Sequence, residues 1–361
     1  MTVTVLLAVI GLTLLVVGGE LLIRGSSRVA LGFRLSPLVV GLTVVAFGTS
    51  SPELAVSVGG VLRGQGGAEL ALGNVIGSNV FNVLFILGLS AMIRPLAVSQ
   101  QLIRFDVPLM IGVSLVVWLF ALDGHIQRLE GLALCAGIAT YTWYVIRQSR
   151  RETQAIRDEY AQHYESDASS TAGWVMNVFY VLTGLGLLVL GSSWLIDGAV
   201  TIATALGVSE LVVGLTLAAA ATSMPEVASS LIATLRGERD IAVGNVVGSN
   251  IFNLLAVLGV TALVAPGGIA VPHAAIVFDI PLMVIVALAC LPVFFSDRGI
   301  SRAEGALFFT YYVAYTVYVV LDATRHDALP AFSAAFWWFV VPLTLVTLIV
   351  SFKRSHVPTT G

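Results

Sequence analysis

Long, nearly unbroken apolar blocks alternate with short polar joints along this chain. A helix needs about 20 mostly apolar residues to cross a bilayer. By that measure eleven blocks qualify: 3–23, 36–61, 68–93, 105–122, 129–146, 173–195, 210–235, 241–265, 275–295, 303–321 and 335–352. The pattern predicts an all-α polytopic membrane protein. Its long polar stretch, 147–172 (RQSRRETQAIRDEYAQHYESDASSTA), reads as a linker with a short helix. The first block lacks a basic leader and is too long for a signal-peptide core, so it reads as a retained helix.

The blocks repeat. GLTVVAFGTSSPE at 41–53 returns as GLTLAAAATSMPE at 214–226, and GNVIGSNVFNVLFILGLSA at 73–91 returns as GNVVGSNIFNLLAVLGVTA at 244–262. FDVPLM at 105–110 returns as FDIPLM at 278–283. The chain therefore divides into a first five-helix unit (1–146), a cytoplasmic linker (147–172), a second five-helix unit (173–321), and an extra helix with its tail (322–361). An odd number of spans per unit turns the second copy upside down. With the linker inside, the inner loops hold Arg24, Arg28, Arg34, Arg94, Arg104, Arg147, Arg150, Arg151, Arg157, Arg236, Arg239, Arg298, Arg302, Lys353 and Arg354. The outer side holds Arg63, Arg128 and Arg325. That bias places the N-terminus outside and the C-terminus inside. Two inverted repeats are an architecture of secondary transporters, with the substrate site where the repeats meet.

Composition agrees with the membrane assignment. Hydrophobic residues make up 57% and charged residues 11%, against about 25% charged in a soluble domain; mean hydropathy is +0.95. The net charge of −3 says little about partners, because the charges sit in joints. Cys135 and Cys290 lie inside apolar blocks, where a structural disulfide is not expected. The five histidines are scattered without metal-ligand spacing. No nucleotide-binding loop is present, which argues against an ATP-driven pump, and nothing points to nucleic acid or a resident cofactor. An enzyme is not expected, since no nucleophile–base pair stands out.

The candidate chemistry sits in the repeated boxes. Glu53 and Glu226 each fall mid-block with no basic residue in the same segment. A carboxylate there costs roughly 2.5–3.5 kcal/mol on insertion scales and marks a functional site by default. Pro52 cannot donate to the carbonyl one turn back, at Gly48, and Pro225 does the same to Ala221. Each copy thus offers a carboxylate, two hydroxyls (Thr49 and Ser50; Thr222 and Ser223) and released carbonyls. On the next helix Asn74, Ser78 and Asn82, and equally Asn245, Ser249 and Asn253, stack on one face at four-residue spacing. All are oxygen donors, the set hard cations such as Ca²⁺ prefer. Gly73, Gly77, Gly244 and Gly248 would allow close packing beside them. Glu20 is expected to pair with Arg24 or reach the inner interface. Asp106, Asp279, Glu130 and Glu304 read as helix starts.

With its GTSSPE and ATSMPE boxes followed by GNVxGSNxFN, the chain resembles the cation/calcium antiporter superfamily, and within it the prokaryotic sodium/calcium exchangers. The resemblance covers nearly the whole chain. It implies a cation cluster built from the second, third, seventh and eighth helices. By position the ligands would be Thr49, Ser50, Glu53, Ser78 and Asn82 with Thr222, Ser223, Glu226, Ser249 and Asn253, helped by backbone carbonyls near Ala46 and Ala219. It also implies that the first and sixth helices slide to switch access. This chain departs from the family's frequent GTSLPE at Ser51 and Ala221. It carries Asn at both 82 and 253 where some exchangers carry Asp, which makes potassium co-transport less expected.

The expectation is a secondary antiporter of the cell (inner) membrane that exchanges Ca²⁺ for Na⁺ by alternating access and exports Ca²⁺. Its partners would be inorganic cations and the lipid bilayer. A proton-coupled antiporter of Ca²⁺ or another divalent cation is the alternative, and a cation channel ranks lower.

Overall fold

The computed structural model describes residues 2–33, 35–63, 67–149, 171–207, 219–295 and 298–335. The eleventh block, nearly all of the 147–172 linker and the start of the seventh block lie outside the described residues. So do Arg34, Arg150, Arg151, Arg157, Lys353 and Arg354.

The described chain is almost entirely helical. In order come α1 (Thr2–Phe33), α2 (Pro37–Thr49), α3 (Ser51–Arg63), α4 (Gly67–Ile93), α5 (Leu102–Ala121) and α6 (Arg128–Ser149). Then follow α7 (Thr171–Ala205), α8 (Ala219–Thr222), α9 (Met224–Arg236), α10 (Arg239–Val264), α11 (Ala275–Phe295) and α12 (Arg302–Ala323), and α13 (Leu329–Ala335). Eight of these are long and apolar enough to cross a membrane, and α2 with α3 makes a ninth, bent by 41°. The bend falls at Ser50, two residues before Pro52, where the missing N–H predicts a break.

Two expectations change. The first span reads as 3–23 from hydropathy, yet α1 continues through Arg24 and Arg28 to Phe33. Those arginines belong to the helix and not to a loop, because helical hydrogen bonding does not stop where the apolar block stops. Asp106 and Asp279 are not helix starts. Each closes a wide π-helical turn inside its helix, Leu102–Asp106 in α5 and Ala275–Asp279 in α11. Pro108 and Pro281 follow two residues later, and a register shift accommodates the N–H each lacks. Asp106 is buried and accepts the Tyr141 hydroxyl at 3.0 Å. Glu130 and Glu304 do cap: the Gln127 N–H donates to Glu130 at 2.7 Å, and Ser301 with Glu304 forms a capping box.

The core has two parts. In the smaller, α1 packs against α7 through small residues. A Cβ on Gly11 would lie 2.8 Å from the Gly191 carbonyl oxygen, and one on Gly18 would lie 2.9 Å from that of Gly184. Numbering rises on one helix as it falls on the other, so the pair is antiparallel. The larger core joins α2, α4, α5 and α6 to α10, α11 and α12. Gly244 and Gly248 bring α10 against α2 at Leu38 and Leu42, as the sequence suggests. Gly73 and Gly77 meet nothing within 4 Å among the described residues.

Among the described residues, four two-residue strands tie the joints. β1 (Leu96–Ala97) pairs antiparallel with β4 (Gly299–Ile300), and β2 (His125–Ile126) with β3 (Ile269–Ala270). By sequence repeat β1 corresponds to β3 and β2 to β4, so each joint pairs with the non-equivalent joint of the other half. Cys135 and Cys290 are free thiols.

Candidate functional site

The bend between α2 and α3 and its counterpart between α8 and α9 deliver the two boxes to the place where the cores meet: Leu54 and Met224 pack on the larger, Val45 and Ala228 on the smaller. Glu53 and Glu226 sit in the first turns of α3 and α9, and both are 0% exposed. Each is held by the other half. The Ser223 hydroxyl donates to Glu53 Oε1 at 3.0 Å, and the Ser50 hydroxyl donates to Glu226 Oε1 at 2.9 Å. Serines beside one carboxylate thus reach the other, which brings the two acids into one site. No ion pair reaches either among the described residues; those found there join Glu20 to Arg24 and to Arg236.

Around this pair the polar residues divide into straps and open oxygens. Thr49 donates to Asn245 Oδ1 at 3.2 Å, and Thr222 donates to Asn74 Oδ1 at 3.1 Å, a symmetric exchange between halves. Asn74 in turn donates to the Glu53 backbone carbonyl at 3.2 Å and to Ser57 at 3.0 Å. Asn245 donates to Ser229 and Ser230, both at 2.9 Å. These two asparagines are therefore braces for the bent segments, although the sequence places them on the ligand face. Ser78 donates its hydroxyl to Ser223 at 3.0 Å, because the Ser223 proton is committed to Glu53.

Among the described residues, five buried oxygens of the expected ligand set have no hydrogen-bond partner: Glu53 Oε2, Glu226 Oε2, Asn82 Oδ1, Asn253 Oδ1 and Ser249 Oγ. Buried polar atoms are ordinarily satisfied, and an isolated carboxylate oxygen is among the costliest to leave open. The set is hard, oxygen-only and anionic by two carboxylates, which fits a divalent cation or two monovalent ones. Asn82 and Asn253 each open a π-helical turn, Asn82–Leu87 in α4 and Asn253–Val257 in α10. Such turns occur frequently at functional sites.

The expected backbone carbonyls are placed less openly. The Ala46 carbonyl accepts the Ser50 N–H at 3.0 Å and lies 3.4 Å from the Thr49 hydroxyl. Ala219 opens α8. The carbonyl of Ala221, opposite Pro225, is not left open, because the Ser192 hydroxyl from α7 donates to it at 2.7 Å. Its repeat-equivalent residue on α1 is Gly19, which has no hydroxyl to offer. Sequence reasoning missed Ser192, and it missed Asn79 and Asn250. Those asparagines are buried and hold the amides of Asn253 and Asn82, at 3.3 and 3.0 Å. They stand off the four-residue stripe, and the one signal for them is their repetition in both GSN motifs.

Comparisons with known proteins converge on one family. Residues 3–147 and 176–321 match the family described as Sodium/calcium exchanger protein. The chain is 37% identical to the Putative antiporter CaxA of Alkalimonas amylolytica, over 87% of this chain and 98% of that one. It is 28% identical to the Sodium/calcium exchanger MaX1 of Methanosarcina acetivorans, over 88% and 98% respectively. It is 35% identical to the Inner membrane protein YrbG of Escherichia coli, over 73% and 80%. A structure of the sodium-calcium exchanger NCX_Mj, soaked with zero Na⁺ and Ca²⁺, superposes with a TM-score of 0.74 at 29% identity, covering 87% of this chain and 98% of that one.

Proposed function

Because this integral membrane protein belongs to the sodium/calcium exchanger family, whose antiporters move inorganic cations, we propose that it exchanges Ca²⁺ for Na⁺ at a site between Glu53 and Glu226. One observation carries the reading. Each buried carboxylate has one oxygen tied to a serine of the opposite half and one oxygen with no partner among the described residues. The ligands are Thr49, Ser50, Glu53, Ser78 and Asn82 with Thr222, Ser223, Glu226, Ser249 and Asn253. The backbone carbonyls of Ala46 and Ala219 assist them.

Ca²⁺ neutralises both carboxylates on one half-cycle and Na⁺ neutralises them on the other. An empty, doubly charged site is costly at membrane depth and resists the switch in access, so the two fluxes are coupled. Two inverted halves provide the switch. The antiparallel packing of the repeat-equivalent α1 and α7 and the exchanged strand pairing support that inversion. With the N-terminus outside and the linker inside, the cell exports Ca²⁺ down the sodium gradient.

Proton coupling is the second reading, and the lack of a basic partner for either carboxylate among the described residues favours keeping it: a proton neutralises such a group as a metal ion does. The test is ⁴⁵Ca²⁺ uptake into proteoliposomes. An outward sodium gradient should drive uptake, and a pH gradient alone should not. Uptake that follows only the pH gradient replaces the first reading with the second. Uptake without either gradient, together with single-channel currents, points to a channel.

A further inference from the structure

We propose that Asn79 and Asn250, locked in place by Met283 and Met110, are positioning residues that turn the carbonyl ends of Asn253 and Asn82 toward the cation. The inference rests on the cation site proposed above and adds to it a device that fixes which end of each amide the ion meets. An asparagine side chain has a donor end and an acceptor end of nearly the same size. Only the acceptor end can bind a cation, and a half-turn of the amide presents two N–H groups instead.

In the first copy the orientation is forced by atoms that can only accept. Asn250 Nδ2 lies 3.2 Å from the backbone carbonyl oxygen of Asn79 and 3.6 Å from Met110 Sδ. Neither can donate, so the NH₂ end of Asn250 must face them. Its Oδ1 then faces Asn82, whose Nδ2 donates to it at 3.0 Å. That bond uses the NH₂ end of Asn82 and leaves Asn82 Oδ1 buried and, among the described residues, unpartnered.

The second copy repeats the logic. Asn79 Nδ2 donates to Met283 Sδ at 3.5 Å, and Asn79 Oδ1 accepts from Asn253 Nδ2 at 3.3 Å, leaving Asn253 Oδ1 unpartnered among the described residues. Met110 and Met283 are repeat-equivalent, both in the PLM of the FDxPLM boxes, and both are buried. Each chain of three residues starts and ends in one half and passes through the other: Met110 to Asn250 to Asn82, and Met283 to Asn79 to Asn253. A thioether suits the outer position because it accepts weakly, never donates and fills apolar space.

The two chains differ in one respect that makes the idea testable. Asn250 has a backbone carbonyl besides its sulfur, whereas Asn79 Nδ2 has, among the described residues, only the sulfur. Leucine conserves the volume of methionine and removes the acceptor. Equilibrium ⁴⁵Ca²⁺ binding to the purified full chain should therefore weaken about tenfold in Met283→Leu and about twofold or less in Met110→Leu. Equal effects, or the reverse order, overturn the proposal.

A second arm separates orientation from packing. Asn250→Leu should weaken Ca²⁺ binding about tenfold in the native background. In an Asn82→Asp background the ligand has two equivalent oxygens and no wrong end, so the same change should cost less than about twofold. The same loss in both backgrounds makes Asn250 a packing residue and overturns its role. The methionine pair decides the matter independently should the double variant fail to fold. Absence of ⁴⁵Ca²⁺ binding by the native chain would instead sink the cation site on which the proposal stands.

Discussion

Glu53 and Glu226 are two carboxyl groups that the fold buries with no cationic side chain beside them among the described residues, and this sets what their removal should do. Were they halves of salt bridges, neutralising one would strand its partner and destabilise the protein strongly. As cation ligands they should behave otherwise. Glu53→Gln or Glu226→Gln should abolish ⁴⁵Ca²⁺ exchange while leaving the melting temperature in calcium-free detergent unchanged or higher; near-normal exchange in either variant contradicts a shared site. Asn253→Asp adds a third charge beside them. It should tighten Ca²⁺ binding about tenfold and bring a further monovalent ion, potassium or a proton, into the flux dependence. An unchanged dependence, with Asn253→Leu still active, would reduce Asn253 to packing. The acids were legible in the sequence because a charge in an apolar block is conspicuous, and Ser78, Asn82, Ser249 and Asn253 because four-residue spacing makes a face. Asn79, Asn250 and Ser192 were not, since their value lies in partners more than a hundred residues away (Asn79 with Asn253) or on a helix with no repeated polar pattern (Ser192). Asn74 and Asn245 show the converse: the right face, but a bracing role.

At the scale of the element, apolar block length locates helices well and their ends poorly. α1 outruns its block by ten residues, from 23 to Phe33, because hydropathy reports the lipid and not the helix. The π-helical turns were invisible, since nothing in a hydropathy pattern distinguishes a five-residue hydrogen-bond step from a four-residue one. The two-residue strands were equally silent, being too short to show alternation. The α1–α7 contact yields a prediction of its own. A methyl group at Gly18 or Gly191 would come within 3 Å of backbone atoms on the facing helix. Gly18→Ala and Gly191→Ala should therefore force the helices apart at a cost of about 1–3 kcal/mol each, read as a lower melting temperature in detergent with reduced exchange. Unchanged melting would mean that the contact is looser than this geometry.

For the whole molecule, the apolar blocks made the helical membrane fold legible, while the way the halves interlock required the structure. Inversion predicts that a cysteine replacing Arg63 reacts with an impermeant thiol reagent from outside, and one replacing its equivalent Arg236 reacts from inside. Labelling of both from one side would sink it. Glu20 binds Arg236 as well as Arg24, so the end of α3 and the end of α9 are also unlike in their ionic ties. The exchanged strands carry a consequence for how the protein is made. β1 emerges from the ribosome about two hundred residues before β4, its mate, and Glu53 precedes by 170 residues the serine that holds it. A nascent first half thus enters the membrane with its acid and its strand edges uncovered, a state that invites quality-control proteolysis. The two halves expressed as separate polypeptides, cut within 150–170, should each be short-lived alone and survive when synthesised together.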